Sequence, residues 1–337
     1  MKKISRSHIA AVGLALLGMG GAMQAQAQGD YLLATASTGG TYYPVGVALS
    51  TVVKVKLQPT VGINMSAINS AGSGENIKLM RDNETQFAIL QGLYGAYAWK
   101  GTGPIEKEGP QTDLRSITML WQNVEHFLVK AEHAKTGTID DVKSIGSVAG
   151  FGKKNSGSLG SSKTIFANLG VDIDKQYDLF YGGYGALADA MQDGKADLIG
   201  TPAGVPAGAV TKLMAASGDG VKLLAFTDEQ VKQADGGMDL WTPYIIPADT
   251  YPGQGAAIQT IAQPNFLAVR ADVPDEDVYM ITKTIYENLG FLQSIHKATK
   301  AMALEKAIAG LPMPLHPGAL RYYEEVGLKI PERLVAK

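Results

Sequence analysis

The stretch YLLATASTGGTYYPVG, residues 31–46, decides the fold class. Tyr31 to Ala36 reads as a short β-strand. It runs into Ser37-Thr38-Gly39-Gly40-Thr41, a loop of glycines and hydroxyls. Pro44 falls in the first turn of the helix that follows, where its fixed φ fits and its missing N–H is no loss. Val45, Leu49, Val52 and Val53 give that helix an apolar face. A strand feeding a small polar loop and then a helix is the unit of an open α/β sheet.

The unit recurs along the chain. Ile63 to Ile68 is a strand, Asn69-Ser70-Ala71-Gly72-Ser73-Gly74 its loop, and Glu75 to Met80 the start of a helix. Phe87 to Leu90 is a third strand, ending at Gln91-Gly92. Leu114 to Leu120 and Phe127 to Lys130 flank a crossover. Asp140-Asp141-Val142 opens a new unit with Ser144 to Val148 as its strand. Gly150 to Ser162 is a further loop of glycine, serine and asparagine, with a helix predicted from Ser161 to Leu169 and closed by Gly170. Ala186 to Gln192 is helical, and Asp193-Gly194 turns into a strand from Ala196 to Gly200. Ile258 to Ala268 reads as a second crossover. Val278, Ile281, Ile285, Leu289 and Leu292 recur at helical spacing near the end.

Three times, then, a strand ends in a glycine- and hydroxyl-rich loop that opens a helix. Ligands of open α/β sheets sit at the carboxyl ends of strands. N–H groups at helix starts point there and carry partial positive charge. A carboxylate or similar anion suits such loops, and three of them spread over both halves of the chain favour one shared site.

Composition limits the alternatives. The 337 residues, 45% hydrophobic and 18% charged, suit about two globular domains. Net charge is −2, and loss of Lys2, Lys3 and Arg6 with a cleaved leader would take it to −5. That balance gives no electrostatic footprint for nucleic acid or anionic lipid and suits a soluble monomer. There is no cysteine, which excludes disulfides, thiolate metal sites, cysteine nucleophiles and a lipoprotein anchor. A basic start, an apolar run from Ile9 to Met19 and Ala25-Gln26-Ala27 together predict a secretory signal cleaved after Ala27. No later segment has 18 uninterrupted apolar residues.

Catalytic motifs are missing. His126, His133, His296 and His316 have no zinc spacing. Gly150 to Gly160 fits neither nucleotide-binding glycine pattern, and no G-x-S-x-G elbow occurs. Ser294-Ile295-His296-Lys297 and Lys135-Thr136-Gly137 match fragments of penicillin-recognising enzymes, but in reverse order and without the middle element. The residues therefore predict no metal, no cofactor and no catalysis. A secreted α/β enzyme acting on a small anion, through groups brought together by folding, stays open, as does a sensory receptor.

Several blocks resemble the TAXI family of solute receptors, the extracytoplasmic subunits of one class of TRAP transporters. Thr38 to Gly46 is similar to the family's N-terminal glycine-tyrosine-proline signature. Ser70 to Ile77 followed by Phe87 to Gln91 resembles its second block. Pro314-Leu315-His316-Pro317-Gly318-Ala319 with Tyr322-Tyr323-Glu324 resembles its C-terminal signature. The resemblance covers nearly all of the chain after the leader. It implies a two-lobed periplasmic-binding fold, type II-like, joined by crossover strands. It implies a periplasmic receptor that closes over a small carboxylate such as glutamate, glutamine or 2-oxoglutarate and hands it to a TRAP membrane permease. By position it carries over Thr38, Gly39, Gly40, Thr41 and Tyr42, then Ser70, Ser73 and Asn76, then Gln91, and in the second lobe Asn155, Ser156, Gly157 and Ser158. Tyr181 and Tyr184 flank Gly182-Gly183 at a strand-to-helix junction, and Tyr184 joins the expected ligand set. Lys153-Lys154-Asn155 and Trp121-Gln122-Asn123 depart from the family pattern, which bears on ligand identity. Arg81, Arg115, Arg270 and Lys153 are candidate cations for the ligand, and nothing in the sequence chooses between them. His316 is expected to pack the tail onto the first lobe. The expected division is a leader over 1–27, lobe one over 28–125, lobe two over 126–267, and a return to lobe one over 268–337.

Overall fold

A computed structural model describes residues 29–336; the expected leader lies outside them. The first lobe is built from β1 (Asp30–Ala34), α1 (Tyr42–Val61), β2 (Asn64–Ile68), α2 (Ser73–Arg81), β3 (Phe87–Gln91) and α3 (Gly92–Lys100). Strand β1 lies between β2 and β3, parallel to both, as short helical crossovers require. β4 (Leu114–Val124) then leads out to β5 (Phe127–Lys130) in a second sheet.

The second lobe continues with β6 (Val148–Gly150), α4 (Gly157–Asn168), α5 (Ile173–Gln176), β7 (Asp178–Leu179), α6 (Tyr184–Gln192) and β8 (Leu198–Gly200). It ends with α7 (Gly208–Ser217), β9 (Val221–Leu223) and α8 (Asp228–Asp235). Its strand order is β7-β6-β8-β5-β9. Phe127, Phe151, Phe166 and Tyr177 fill its centre, with Phe151 and Phe166 edge-to-face at 5.1 Å.

The chain returns through β10 (Thr242–Ile246) and β11 (Ile258–Arg270), then α9 (Asp275–Glu287), α10 (Leu289–Ile295) and α11 (Pro317–Glu325). β11 pairs antiparallel with β10 and β3 and with β4. β4 and β11 are thus two long antiparallel strands running side by side from one lobe towards the other. The architecture is α/β, two lobes joined by crossover strands. No helix of the described residues is long and apolar enough to cross a membrane.

Some local readings shift. Ser144 belongs to a short 3-10 turn, Ile139–Ser144, rather than to a strand. Asp141 holds that turn by accepting from the N–H groups of Thr136 at 3.0 Å and Gly137 at 2.8 Å. The strand starts only at Val148. α4 starts at Gly157, not Ser161, because Ser156 caps it by accepting from Leu159 N at 3.1 Å. β10 joins the first sheet by pairing with β11, although residues 126–267 read as second lobe.

The C-terminal return is clamped to lobe one. Tyr31 donates to Asp277 at 2.5 Å in the interior. His316 caps α11, accepting at Nδ1 from Gly318 N at 3.2 Å, and its N–H donates to Ser116 O at 2.9 Å. Gly318 lets α11 meet α9: a Cβ there would sit 2.1 Å from Asp275 O and 2.7 Å from Tyr279 N. These are backbone atoms that cannot rotate away. Gly318→Ala is expected to destabilise the protein by roughly 1–3 kcal/mol, read as a lower urea midpoint. An unchanged midpoint would show that the helices separate freely.

Candidate ligand-binding cleft

The loops after β1, β2, β6 and β7 converge between the two sheets. They deliver the N-termini of α1, α2, α4 and α6 to one cavity with an open mouth. First-turn N–H groups have no intrahelical acceptor. Residues of all four helix starts line the space, so its walls offer backbone donors and partial positive charge.

Lobe one contributes Ala36, Ser37, Gly40, Thr41, Tyr42, Ala71, Gly72 and Ser73, with Gln91 from the end of β3 and Asn123 from β4. Lobe two contributes Lys153, Gly157, Ser158, Gly182, Gly183, Tyr184 and Pro202. Gln91 is fixed three ways. Its N–H donates to Ser73 Oγ at 3.1 Å, its Nε2 to Gly157 O at 2.8 Å, and its Oε1 accepts from Asn123 Nδ2 at 3.1 Å. Tyr42 donates to Asn265 Oδ1 at 2.5 Å, and Tyr184 donates to Pro202 O at 2.7 Å. Burial pushes both phenols well above their usual range, so both remain neutral donors.

The lobes touch around this cavity. Thr41 Oγ1 donates to Gly204 O at 3.2 Å and accepts from Gly204 N at 3.0 Å. Gly39 O accepts from Ala209 N at 3.2 Å, and Asn155 O accepts from Glu75 N at 2.9 Å. Lys153 Nζ reaches Ser70 O at 3.4 Å. These contacts hold the two lobes against each other around the cavity.

Of the residues singled out in the sequence, Gly40, Thr41, Tyr42, Ser73, Gln91, Gly157, Ser158 and Tyr184 line the cavity. Six others do not. Thr38 is exposed and does not line the cavity. Gly39 and Asn155 use their carbonyls between the lobes. Ser70 Oγ has one proton to give and lies within reach of Asn76 Oδ1 at 2.6 Å and Thr35 O at 2.9 Å, and Asn76 donates to Thr35 O and Ile89 O, so both brace the strand ends. Ser156 faces its own helix as the cap. Lys153 is the one of the four candidate cations that lines the cavity. Arg270 pairs with Asp272, Arg81 with Asp82, and Arg115 stacks on Trp99. Asn123 was legible only as a departure from the family pattern, Gly182 only as part of the Gly182-Gly183 junction between Tyr181 and Tyr184, and nothing local pointed Pro202 at a site.

Residues 33–327 match the model of the NMT1-like family. The chain belongs to the NMT1-like family. Among solved structures, a Bordetella bronchiseptica RB50 protein is similar to it with a TM-score of 0.51 at 12% identity, over 90% of this chain and 85% of that one. At that identity the likeness is one of fold. Looser likenesses include a binding protein component of an ABC phosphonate transporter from Pseudomonas aeruginosa, with a TM-score of 0.48 at 10% identity over 80% and 78% of the two chains. Another is the periplasmic aliphatic sulphonate binding protein of Escherichia coli, with a TM-score of 0.44 at 14% identity over 88% and 83%. The TAXI resemblance is a narrower statement than the family match.

Chemically, the cavity of this NMT1-like chain is a polar trap with one cation. Among the described residues, its lining contains no carboxylate and no imidazole. Ser156 and Ser158 share a hydroxyl contact at 3.0 Å with no base beside them. His126 is turned elsewhere: Nδ1 donates to Val124 O at 2.9 Å, and Nε2 accepts from Tyr251 at 2.7 Å. Burial lowers its pKa to about 4. Away from the cleft, Glu132, His133 and Asp197 lie near one another. Lys130 sits 2.5 Å from Asp197, so this cluster is an ion-pair network.

Proposed function

We propose that this protein is a periplasmic solute receptor: it closes its two lobes over a small carboxylate and delivers it to a membrane permease. The observation that carries this reading is the cavity itself, walled by four helix starts from both lobes and by a single lysine. A carboxylate there accepts from first-turn N–H groups and pairs with Lys153. Ser73, Gln91 and Ser158 supply directional bonds, while Thr41 keeps its hydroxyl proton on Gly204 O across the lobe contact. The lobes hinge where β4 passes into β5 and where β11 begins, so closure couples binding to a domain motion. Among the described residues, the lining has no base of the kind hydrolysis or group transfer needs, which favours binding over catalysis.

The TAXI resemblance supports a TRAP permease as the partner. Uptake in reconstituted vesicles driven by a sodium gradient is the expected result; uptake driven by ATP would replace that partner with an ABC importer.

The receptor reading is tested by thermal shift of the purified protein against carboxylates, phosphonates and sulfonates. Ligand at 100 times its Kd adds about 2.7 kcal/mol of stability, and the compound is expected back unaltered. Turnover of the compound would move the protein to the enzyme class. Lys153→Met is expected to weaken binding of the best anion by about 10-fold, the low end for a charge-assisted bond because Lys153 is only partly buried. Unaltered affinity in calorimetry would remove Lys153 from the site.

A further inference from the structure

We propose that the cavity selects a small hydroxycarboxylate and rejects the amino acid of the same skeleton. This rests on the receptor reading and narrows it.

The first argument is charge. Lys153 is the only charged side chain among the described residues that line the cavity. An amino acid brings an ammonium group as well as a carboxylate. That ammonium would lie among four positive helix ends and a lysine with no counter-charge in the lining, and an unpaired buried charge is heavily penalised. Glu125, the residue that follows β4, is not in the lining. Burial raises its pKa to about 8, so near pH 7 it is mostly neutral and lends no negative charge.

The second argument is the polarity of a relay. Gly157 O can only accept, so the Gln91 group facing it is the amide N–H at 2.8 Å. Gln91 Oε1 then faces Asn123 and takes its Nδ2 at 3.1 Å. The orientation of both amides follows from one carbonyl. Asn123 Oδ1 is left over: the residue is 2% exposed, lines the cavity, and this oxygen has no protein partner. A buried acceptor without a donor is costly. A ligand hydroxyl supplies that donor without bringing charge. A keto oxygen does not, and an ammonium supplies it only together with its uncompensated charge. The expected order is hydroxy acid first, keto acid second, amino acid last.

The test is calorimetry on the wild-type protein at pH 7 with three matched trios: lactate, pyruvate and alanine; malate, oxaloacetate and aspartate; 2-hydroxyglutarate, 2-oxoglutarate and glutamate. In at least one trio the hydroxy acid is expected to bind 10-fold or more tighter than the amino acid, at about one order of magnitude per lost hydrogen bond. An amino acid that binds as tightly as its hydroxy partner overturns the proposal. No binding in any trio also overturns it; if a phosphonate or sulfonate then shifts the melting temperature, the receptor reading survives and only the ligand class falls. In Asn123→Asp the order is expected to reverse towards the amino acid, and an unchanged order would overturn the role given to Asn123.

Discussion

Gly157→Val is expected to weaken ligand binding by about 5- to 150-fold, the cost of roughly 1–3 kcal/mol of overpacking, with little change in the stability of the ligand-free protein. Gly157 is the first residue of α4 and stands at the lobe junction. A Cβ there would lie 2.9 Å from both Gln91 Cδ and Ser73 Oγ and 3.0 Å from Ser73 Cβ. All three atoms belong to the opposite lobe, so the clash exists only when the cleft is closed. The branched valine adds two methyl groups that a small shift of Gln91 cannot accommodate. Apparent affinity scales with the fraction of molecules able to close, so a penalty on closure passes directly into Kd. Calorimetry gives the affinity, and small-angle scattering with saturating ligand should show a larger radius than the wild type. Wild-type affinity in this variant would mean that binding does not require the lobe contact at Gly157.

Glu125→Gln is expected to raise the melting temperature at pH 9 by several degrees and to leave it unchanged near pH 4.5. Glu125 lies between β4 and β5 and is 1% exposed. Its N–H donates to Ile261 O at 2.9 Å, and its carbonyl accepts from Thr260 Oγ1 at 2.8 Å, which pins the backbone of one crossover to the other. Neither carboxyl oxygen has a partner by distance and angle. Burial raises its pKa from the ordinary 4.5 to about 8, only partly offset by Ser161 and Trp241. Between those values the folded protein keeps a proton that the unfolded chain has lost. Stability from this group is therefore full below about pH 4.5 and falls as pH rises towards 8. At ~1.4 kcal/mol per pKa unit the loss is of the order of a few kcal/mol, and glutamine, which does not titrate, escapes it. His126 has the opposite sign: its neutral form is favoured, and stability falls as pH drops from 6.5 towards 4. Both proteins share that loss, so it cancels in their difference. A difference in melting temperature that stays flat from pH 4.5 to 9 would refute the buried, protonated carboxyl.

The legible parts of this protein were those governed by neighbours in the chain. The 31–46 stretch gave strand, loop and helix because apolar period, glycine and Pro44 act within a few residues. Leu114 to Leu120 and Ile258 to Ala268 stood out as apolar runs, and both became long crossover strands. Missing motifs and the absent cysteine narrowed the chemistry before any fold was known. Even α4 carries its local signal in Ser156, whose side chain caps it at Leu159 N.

Within the loops, sequence could nominate a segment but not the side of it that faces the ligand. Gly40 and Thr41 line the cavity while Thr38, two residues earlier, is exposed. Lys153 was one cation among four until the second lobe folded against the first. The free oxygen of Asn123 exists only because Gly157, 34 residues away in the chain and on the other lobe, fixes which way two amides point. Sequence alone determined the elements, since propensity and hydrophobic period are local quantities. Only the tertiary structure decided the site, because its charge and its hydrogen-bond polarity come from groups that share no neighbourhood until two lobes close on each other.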